Sequence, residues 1–181
     1  MPLEVPAEPW RSFFNELDEL LDEPVDLHCF GGFALIHAYK VARTTNDIDF
    51  ISLVPDPLRK TLVELAGEGS PLHQRHRVHL DAVTIATAPE SYEDRLAPIF
   101  SGAWGRLRLF VLEPHDLALT KLERNAERDR DDVQRLAWAG HLDREILRHR
   151  YYDELRPNLL SREKWHDETL RLWIESCWPE A

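Results

Sequence analysis

The stretch CFGGFALIHAYKVARTTNDIDF, residues 29–50, decides the fold that the sequence predicts. An apolar run at residues 25–30, typical of a buried strand, ends in two glycines. A helical run follows at residues 33–39, and a polar turn then leads to an Asp-x-Asp pair at the start of a β-favouring run, residues 48–54. A strand, a helix and a second strand in this order indicate an α/β fold.

Two carboxylates and two glycines are the candidate site residues of this stretch. Asp47 and Asp49 are separated by one apolar residue, so on a strand both side chains lie on one face. Close carboxylates repel each other unless a cation lies between them, and Mg²⁺ combines one or two carboxylates with water and substrate phosphates. Gly31 and Gly32 let the backbone approach a phosphate closely at the start of a helix. The plainer interpretation of the aspartates is a strand end with two solvated acids.

The order of these motifs resembles a known enzyme family. The Gly-Gly at a strand–helix junction, the Arg-x-Thr of Arg43 and Thr45, and the Asp-x-Asp resemble the core of the minimal nucleotidyltransferases of the DNA polymerase β-like superfamily. The sequence is most similar to the bacterial branch that includes AbiEii-type toxins and relatives of uncharacterised function. The resemblance implies an α/β fold with a small mixed β-sheet, catalytic Mg²⁺ or Mn²⁺ ions on Asp47 and Asp49, and a third carboxylate from a later strand.

Asp81 is the candidate for that third carboxylate. It interrupts the apolar, strand-like run at residues 78–85, where a lone acid is costly to bury unless it is paired or binds a metal. By resemblance it acts on the attacking hydroxyl, as a general base or through a second metal ion; the alternative is an acid at a strand edge. Histidines recur every three residues here: His73, His76 and His79. Because the run is a strand, they do not share one helical face, which disfavours a zinc site.

The polar turn before the aspartates supplies further candidates for nucleotide binding. Arg43 presents a planar fork that matches a phosphate, and Thr44 follows it directly. The alternatives are an ion pair of Arg43 that orders the turn, and capping of the turn by Thr44 and Thr45. Together with Gly31 and Gly32, Arg43 and Thr44 belong to the predicted nucleotide-binding set.

A second, weaker resemblance lies further along the chain. Similar families carry an aspartate and then a lysine in a helix, matched here by Asp116 and Lys121, and then an Arg/Asp-rich turn, matched by residues 128–133. Lys121 stands among apolar residues, so it either extends to solvent or reaches toward a phosphate, and we predict nucleotide binding. Asp116 suits the first turn of a helix. Asp131 and Asp132 either cap the following helix or hold Lys121 or Arg43 in place.

The pattern of apolar and polar residues elsewhere predicts that the chain has two parts. Amphipathic or apolar runs predict a helix at residues 10–21, a helix at residues 58–65 and a strand at residues 107–112. These elements complete a nucleotidyltransferase core at residues 1–112. Beyond it the sequence predicts a helical C-terminal region, residues 113–181, packed on the core.

Composition limits the class of protein. The chain has 181 residues, 43% of them hydrophobic and 30% charged, which suits one globular domain with a helical extension. No apolar run approaches the ~20 residues of a membrane helix, and the N-terminus does not resemble a signal peptide. Two cysteines are too few for a disulfide framework, so we expect a cytoplasmic protein. A net charge of −11 argues against broad nonspecific binding to nucleic acid, although a local basic patch is compatible with it.

These features predict a metal-dependent nucleotidyltransferase. It would transfer a nucleoside monophosphate from a nucleoside triphosphate to a hydroxyl of RNA, such as tRNA, or of a protein. The resemblance extends to a toxin–antitoxin or defence role, with an antitoxin or another protein as partner. The alternative is a catalytically silent protein of the same fold that acts as a binding module or antitoxin.

Overall fold

The computed structural model describes residues 4–54, 56–83 and 87–179. The chain divides into two compact units: the first is Met1–Ile85 with Leu96–Val111, and the second is Ala86–Arg95 with Leu112–Ala181. The predicted boundary after residue 112 thus lies close to the start of the main segment of the second unit, but residues 86–95 belong to that unit as well. Within the described ranges, no helix has both the length and the apolar character needed to cross a membrane.

The first unit contains a five-stranded mixed sheet, which confirms the predicted α/β class. Its strands, in chain order, are β1 (Val25–Cys29), β2 (Asp47–Val54), β3 (His79–Ala82), β4 (Ala97–Ile99) and β5 (Leu107–Val111). The spatial order is β3-β2-β1-β5-β4. β1 is antiparallel to β2 and parallel to β5, while β2 is parallel to β3 and β4 is antiparallel to β5.

One face of this sheet is apolar and buried. The register places Cys29 opposite Phe50 and Ile48 opposite Leu80, and all four side chains are buried. Since side chains alternate along a strand, the residues between them lie on the other face. Burial of this apolar face therefore fixes which face carries the aspartates of β2.

Four helices accompany the sheet in the described part of the first unit: α1 (Trp10–Leu20), α2 (Gly31–His37), α3 (Arg59–Ala66) and α4 (Pro71–His76). The predicted amphipathic stripe of α1 is confirmed, because Trp10, Phe13, Phe14 and Leu17 are buried. Trp10 and Phe14 pack edge-on against Phe33 of α2, with ring centroids 5.3 and 5.8 Å away. Each such pair contributes about 0.5–1.5 kcal/mol beyond its buried area.

All secondary-structure elements in the described part of the second unit are helical. Its longer elements are α5 (Pro114–Leu119), α6 (Glu127–Trp138), α7 (Arg144–Arg150) and α8 (Glu163–Cys177). The prediction of a turn at residues 128–133 is wrong, because these residues lie inside α6. Asp129 explains the difference: its side chain accepts a hydrogen bond from the backbone N–H of Ala126 at 3.0 Å, which caps the helix before the predicted turn.

Candidate active site

Parallel pairing of β2 and β3 brings three aspartates together. Asp47 and Asp49 lie on β2, Asp81 lies on β3, and the sheet register places Asp49 directly opposite Asp81. One carboxylate oxygen of each residue lies within 4.8 Å of those of the other two. In residues 4–54, 56–83 and 87–179, this is the only group of three or more acidic, histidine or cysteine side chains with such geometry. The three predicted acids therefore meet at one place on the sheet.

The three carboxylates differ in exposure. Ile48 and Phe50 are fully buried on the opposite face, which directs Asp47 and Asp49 to the acidic face, where both are half-buried. Asp81 is exposed and lies on β3, a strand at the edge of the sheet. The arrangement thus combines two sheltered carboxylates with one that a large substrate can reach.

The donor set suits a hard divalent cation. Mg²⁺ and Mn²⁺ take oxygen ligands, and carboxylates that share a small space favour a bound cation because it removes their mutual repulsion. Cys29 does not join this set as a thiolate, because burial and the negative charge of Asp49 raise the pKa of its thiol above the ordinary value. The chemistry of the site is therefore that of oxygen ligands.

Gly31 brings the bend between β1 and α2 directly against Asp49. Its φ of +62° lies in the left-handed region that side chains rarely adopt. A Cβ atom at this position would lie 1.8 Å from Oδ2 of Asp49, so there is no space for one. The neighbouring Phe30 N–H also donates to the backbone carbonyl of Asp49 at 3.0 Å. Backbone and carboxylate are thus in close contact at this bend, whereas the approach of a phosphate to Gly31 stays a prediction.

Gly32 is surrounded by residues of the polar turn. A Cβ atom on Gly32 would lie 2.9 Å from Oγ1 of Thr45 and 3.0 Å from Cζ of Arg43. The structure therefore brings Arg43 to the Gly-Gly bend, beside the aspartates. Thr44 is exposed, and its role in nucleotide binding stays a prediction.

Thr45 is the residue of this turn that sequence reasoning undervalued. Its hydroxyl donates to Oδ1 of Asp47 and also lies 3.4 Å from the backbone oxygen of Asp47. Threonine hydroxyls commonly bond to backbone groups two residues away, so the sequence did contain a signal. That signal did not separate Thr45 from Thr44, because either can cap a turn.

Lys121 belongs to the second unit and lies just beyond the end of α5. Its side chain is buried, and its Nζ lies 2.9 Å from Oδ2 of Asp132 and 3.6 Å from Oδ1 of Asp129. Although burial raises the pKa of Asp129, hydrogen bonds from Arg124 and the charge of Lys121 bring it below the ordinary value. Asp132 therefore holds Lys121 in place, which was one of the roles considered for this aspartate. Nucleotide binding by Lys121 stays a prediction.

Asp116 is part of a second buried ionic network. It is fully buried in the first turn of α5 and accepts two hydrogen bonds from Arg95, at 2.8 and 3.0 Å, and one from Arg150 at 3.1 Å. Two guanidinium groups therefore compensate one buried carboxylate and offset the cost of removing its charge from water.

Comparison with known proteins identifies a family whose model covers most of the chain. A family model described as "Nucleotidyltransferase of unknown function (DUF6036)" matches residues 11–176, most of the chain. No curated protein and no solved structure matches the chain.

Proposed function

The chain belongs to the family of nucleotidyltransferases of unknown function DUF6036, and on that premise we propose that it is a metal-dependent enzyme that transfers a nucleoside monophosphate from a nucleoside triphosphate to a hydroxyl group. The observation that carries this proposal is the meeting of Asp47, Asp49 and Asp81 within 4.8 Å, beside Gly31.

Asp47 and Asp49 hold Mg²⁺ or Mn²⁺ in this proposal, with Asp81 as a third ligand. When bound, the metal neutralises the charge of the phosphates and orients them for in-line displacement. The half-burial of Asp47 and Asp49 supports this role, since two like charges in a partly sheltered position favour a cation between them.

The Gly-Gly bend receives the phosphates. Gly31 and Gly32 carry no side chain, which lets the Asp49 carboxylate lie against the first glycine and Arg43 against the second, and Arg43 supplies a guanidinium fork. In this position the Arg43 fork binds phosphate oxygens and fixes the α-phosphorus relative to the aspartates. Positioning of this kind supplies much of the rate enhancement in phosphoryl transfer.

Asp81 serves the acceptor. The hydroxyl oxygen of the acceptor attacks the α-phosphorus and its proton passes to the Asp81 carboxylate. The bond between the α-phosphorus and the oxygen that bridges to the β-phosphorus breaks, and its electron pair leaves with pyrophosphate. Exposure of Asp81 on an edge strand supports this role, because a macromolecular acceptor can approach it.

The acceptor in this proposal is RNA, such as tRNA, or a protein. This part rests on the similarity of the Gly-Gly, Arg-x-Thr and Asp-x-Asp motifs to AbiEii-type toxins, as does a toxin–antitoxin or defence role with a protein partner in the cytoplasm.

Label transfer tests the proposal. The full chain is incubated with each α-³²P-labelled nucleoside triphosphate, Mg²⁺ or Mn²⁺, total tRNA and lysate protein. We expect one labelled macromolecule, and digestion with ribonuclease or protease then identifies it as RNA or protein. The same triphosphate labelled at the γ position gives no transfer, because that phosphate leaves in pyrophosphate.

Matched variants complete this experiment. Asp49→Asn removes one metal-binding charge and abolishes labelling, whereas Asp22→Asn changes an exposed aspartate outside the site and leaves labelling unchanged. Labelling that persists in Asp49→Asn contradicts the proposed mechanism. Absence of labelling from every triphosphate with both metals favours the catalytically silent alternative.

A further inference from the structure

Thr45 stands between the two parts of the site, the Gly-Gly bend and the first aspartate. We propose that Thr45 is a positioning residue that fixes the Asp47 carboxylate in the orientation that binds metal. This inference rests on the proposed function, because it gives Asp47 the role of a metal ligand.

One contact of Thr45 is with the carboxylate itself. The hydroxyl donates to Oδ1 of Asp47. A threonine hydroxyl has a single hydrogen, so this bond uses all of its donor capacity and leaves Oδ2 of Asp47 outside it. The bond therefore restrains rotation of the carboxylate while one oxygen remains available for a cation.

The other contact of Thr45 is with the glycine bend. A Cβ atom on Gly32 would lie 2.9 Å from Oγ1 and 3.0 Å from Cβ of Thr45, so the threonine occupies the space directly beside Gly32. A β-branched side chain has few χ1 rotamers, and packing against the backbone restricts them further. The hydroxyl is thus held in place by the Gly-Gly bend, and it holds Asp47 in turn.

Repulsion among the carboxylates acts against this orientation of Asp47. The carboxylate oxygens of Asp49 and Asp81 lie within 4.8 Å of that of Asp47, and like charges at this distance favour rotation of Asp47 away from them. Residues that orient metal ligands typically change metal affinity about 10–100-fold when they are replaced. We expect the same range for loss of the Thr45 hydroxyl.

Binding of Mn²⁺, followed by electron paramagnetic resonance without any nucleotide, tests the inference. Thr45→Val preserves the branched shape and removes the donor, and we expect Mn²⁺ affinity to fall about 10–100-fold. Thr45→Ser keeps the hydroxyl and retains affinity within about threefold of wild type. The control Thr61→Val changes an exposed threonine of α3, outside the site, and leaves the affinity unchanged. Thr45→Ala removes the donor without adding a methyl group, and it replaces Thr45→Val in the Mn²⁺ measurement if Thr45→Val does not fold.

The outcomes separate this inference from the proposed function. If the wild-type chain binds Mn²⁺ and the folded variant without the hydroxyl binds it equally well, the positioning role is refuted and the metal site stands. If the wild-type chain binds no Mn²⁺ and Asp47→Asn behaves identically, the metal site and the role of Thr45 fail together. A matching shift in the Mg²⁺ concentration that raises the melting temperature supports the inference by a second readout.

Discussion

Replacing Gly31 by alanine tests the geometry of the site at its tightest point. At Gly31 a positive φ of +62° coincides with a contact so close that a Cβ would lie 1.8 Å from Oδ2 of Asp49. A Cβ atom in ordinary van der Waals contact is at least 3.4 Å from its neighbour, so the carboxylate or the backbone has to move by more than 1 Å.

The expected loss of stability has two components. An alanine in the left-handed region costs about 1–2 kcal/mol, and overpacking of a filled position costs about 1–3 kcal/mol. Together they predict that Gly31→Ala lowers the free energy of unfolding by about 2–5 kcal/mol. The displaced carboxylate is Asp49, so Mn²⁺ affinity also falls.

Gly69→Ala is the matched control. Gly69 has a φ of +79°, and a Cβ atom on it would have no heavy atom within 4 Å, so its replacement meets the backbone cost alone, about 1–2 kcal/mol. Urea unfolding measures both free energies, and Mn²⁺ titration measures the affinities. If Gly31→Ala binds Mn²⁺ as tightly as Gly69→Ala does, Asp49 is not held as a metal ligand against this bend, and the reasoning fails.

Three further predictions concern charges. Lys121→Met leaves the buried Asp132 without its ammonium partner and lowers the free energy of unfolding by about 3–5 kcal/mol. The control Lys164→Met, at an exposed position, changes this free energy by less than about 0.5 kcal/mol. Urea unfolding of both variants measures the two values. Asp81→Asn relieves repulsion, so it raises the melting temperature in EDTA, and added Mg²⁺ raises its melting temperature less than that of wild type. An equal rise in the two proteins contradicts this prediction. Burial, and then the charge of a nearby arginine, lower the pKa of His166 from 6.5. Below about pH 6.5 the unfolded chain therefore binds a proton that the folded chain does not, so the free energy of unfolding falls as the pH falls. His166→Gln reduces the loss of unfolding free energy measured between about pH 7.5 and about pH 5.5.

Local patterns were sufficient to predict most elements near the site. Alternation and apolar runs predicted β1, β2 and β3, although the predicted strand at residues 78–85 ends at Ala82, and residues 84 and 85 lie outside the described residues. The lone acid in that strand identified Asp81 because burying an unpaired charge is costly. What the sequence does not contain is the register that places Asp81 opposite Asp49, since pairing between distant strands depends on the whole sheet.

The elements that sequence analysis missed are short or contain proline. Helix α4 has six residues, and its signal was a serine and a proline: Ser70 accepts a hydrogen bond from the His73 N–H at 3.2 Å, and Pro71 starts the helix. Strand β4 has three residues with Pro98 at its centre, and it lies at the edge of the sheet, where proline is tolerated. Such elements depend on their neighbours more than on their own composition.

The electrostatic energy of the three carboxylates distinguishes a chain that binds a metal ion from one that binds none. Two unit charges 4.8 Å apart repel by about 1 kcal/mol even in water, so the three aspartate pairs cost about 3 kcal/mol in total, and more where Asp47 and Asp49 are shielded from solvent. This is a large fraction of the ~5–15 kcal/mol that stabilises a typical domain. In a protein that binds no cation, Mg²⁺ leaves the difference in stability between the wild-type chain and each asparagine variant unchanged. In a metal-dependent enzyme a bound cation offsets this repulsion, so Mg²⁺ stabilises the wild-type chain more than it stabilises each variant. A difference in stability that Mg²⁺ does not change contradicts the metal site.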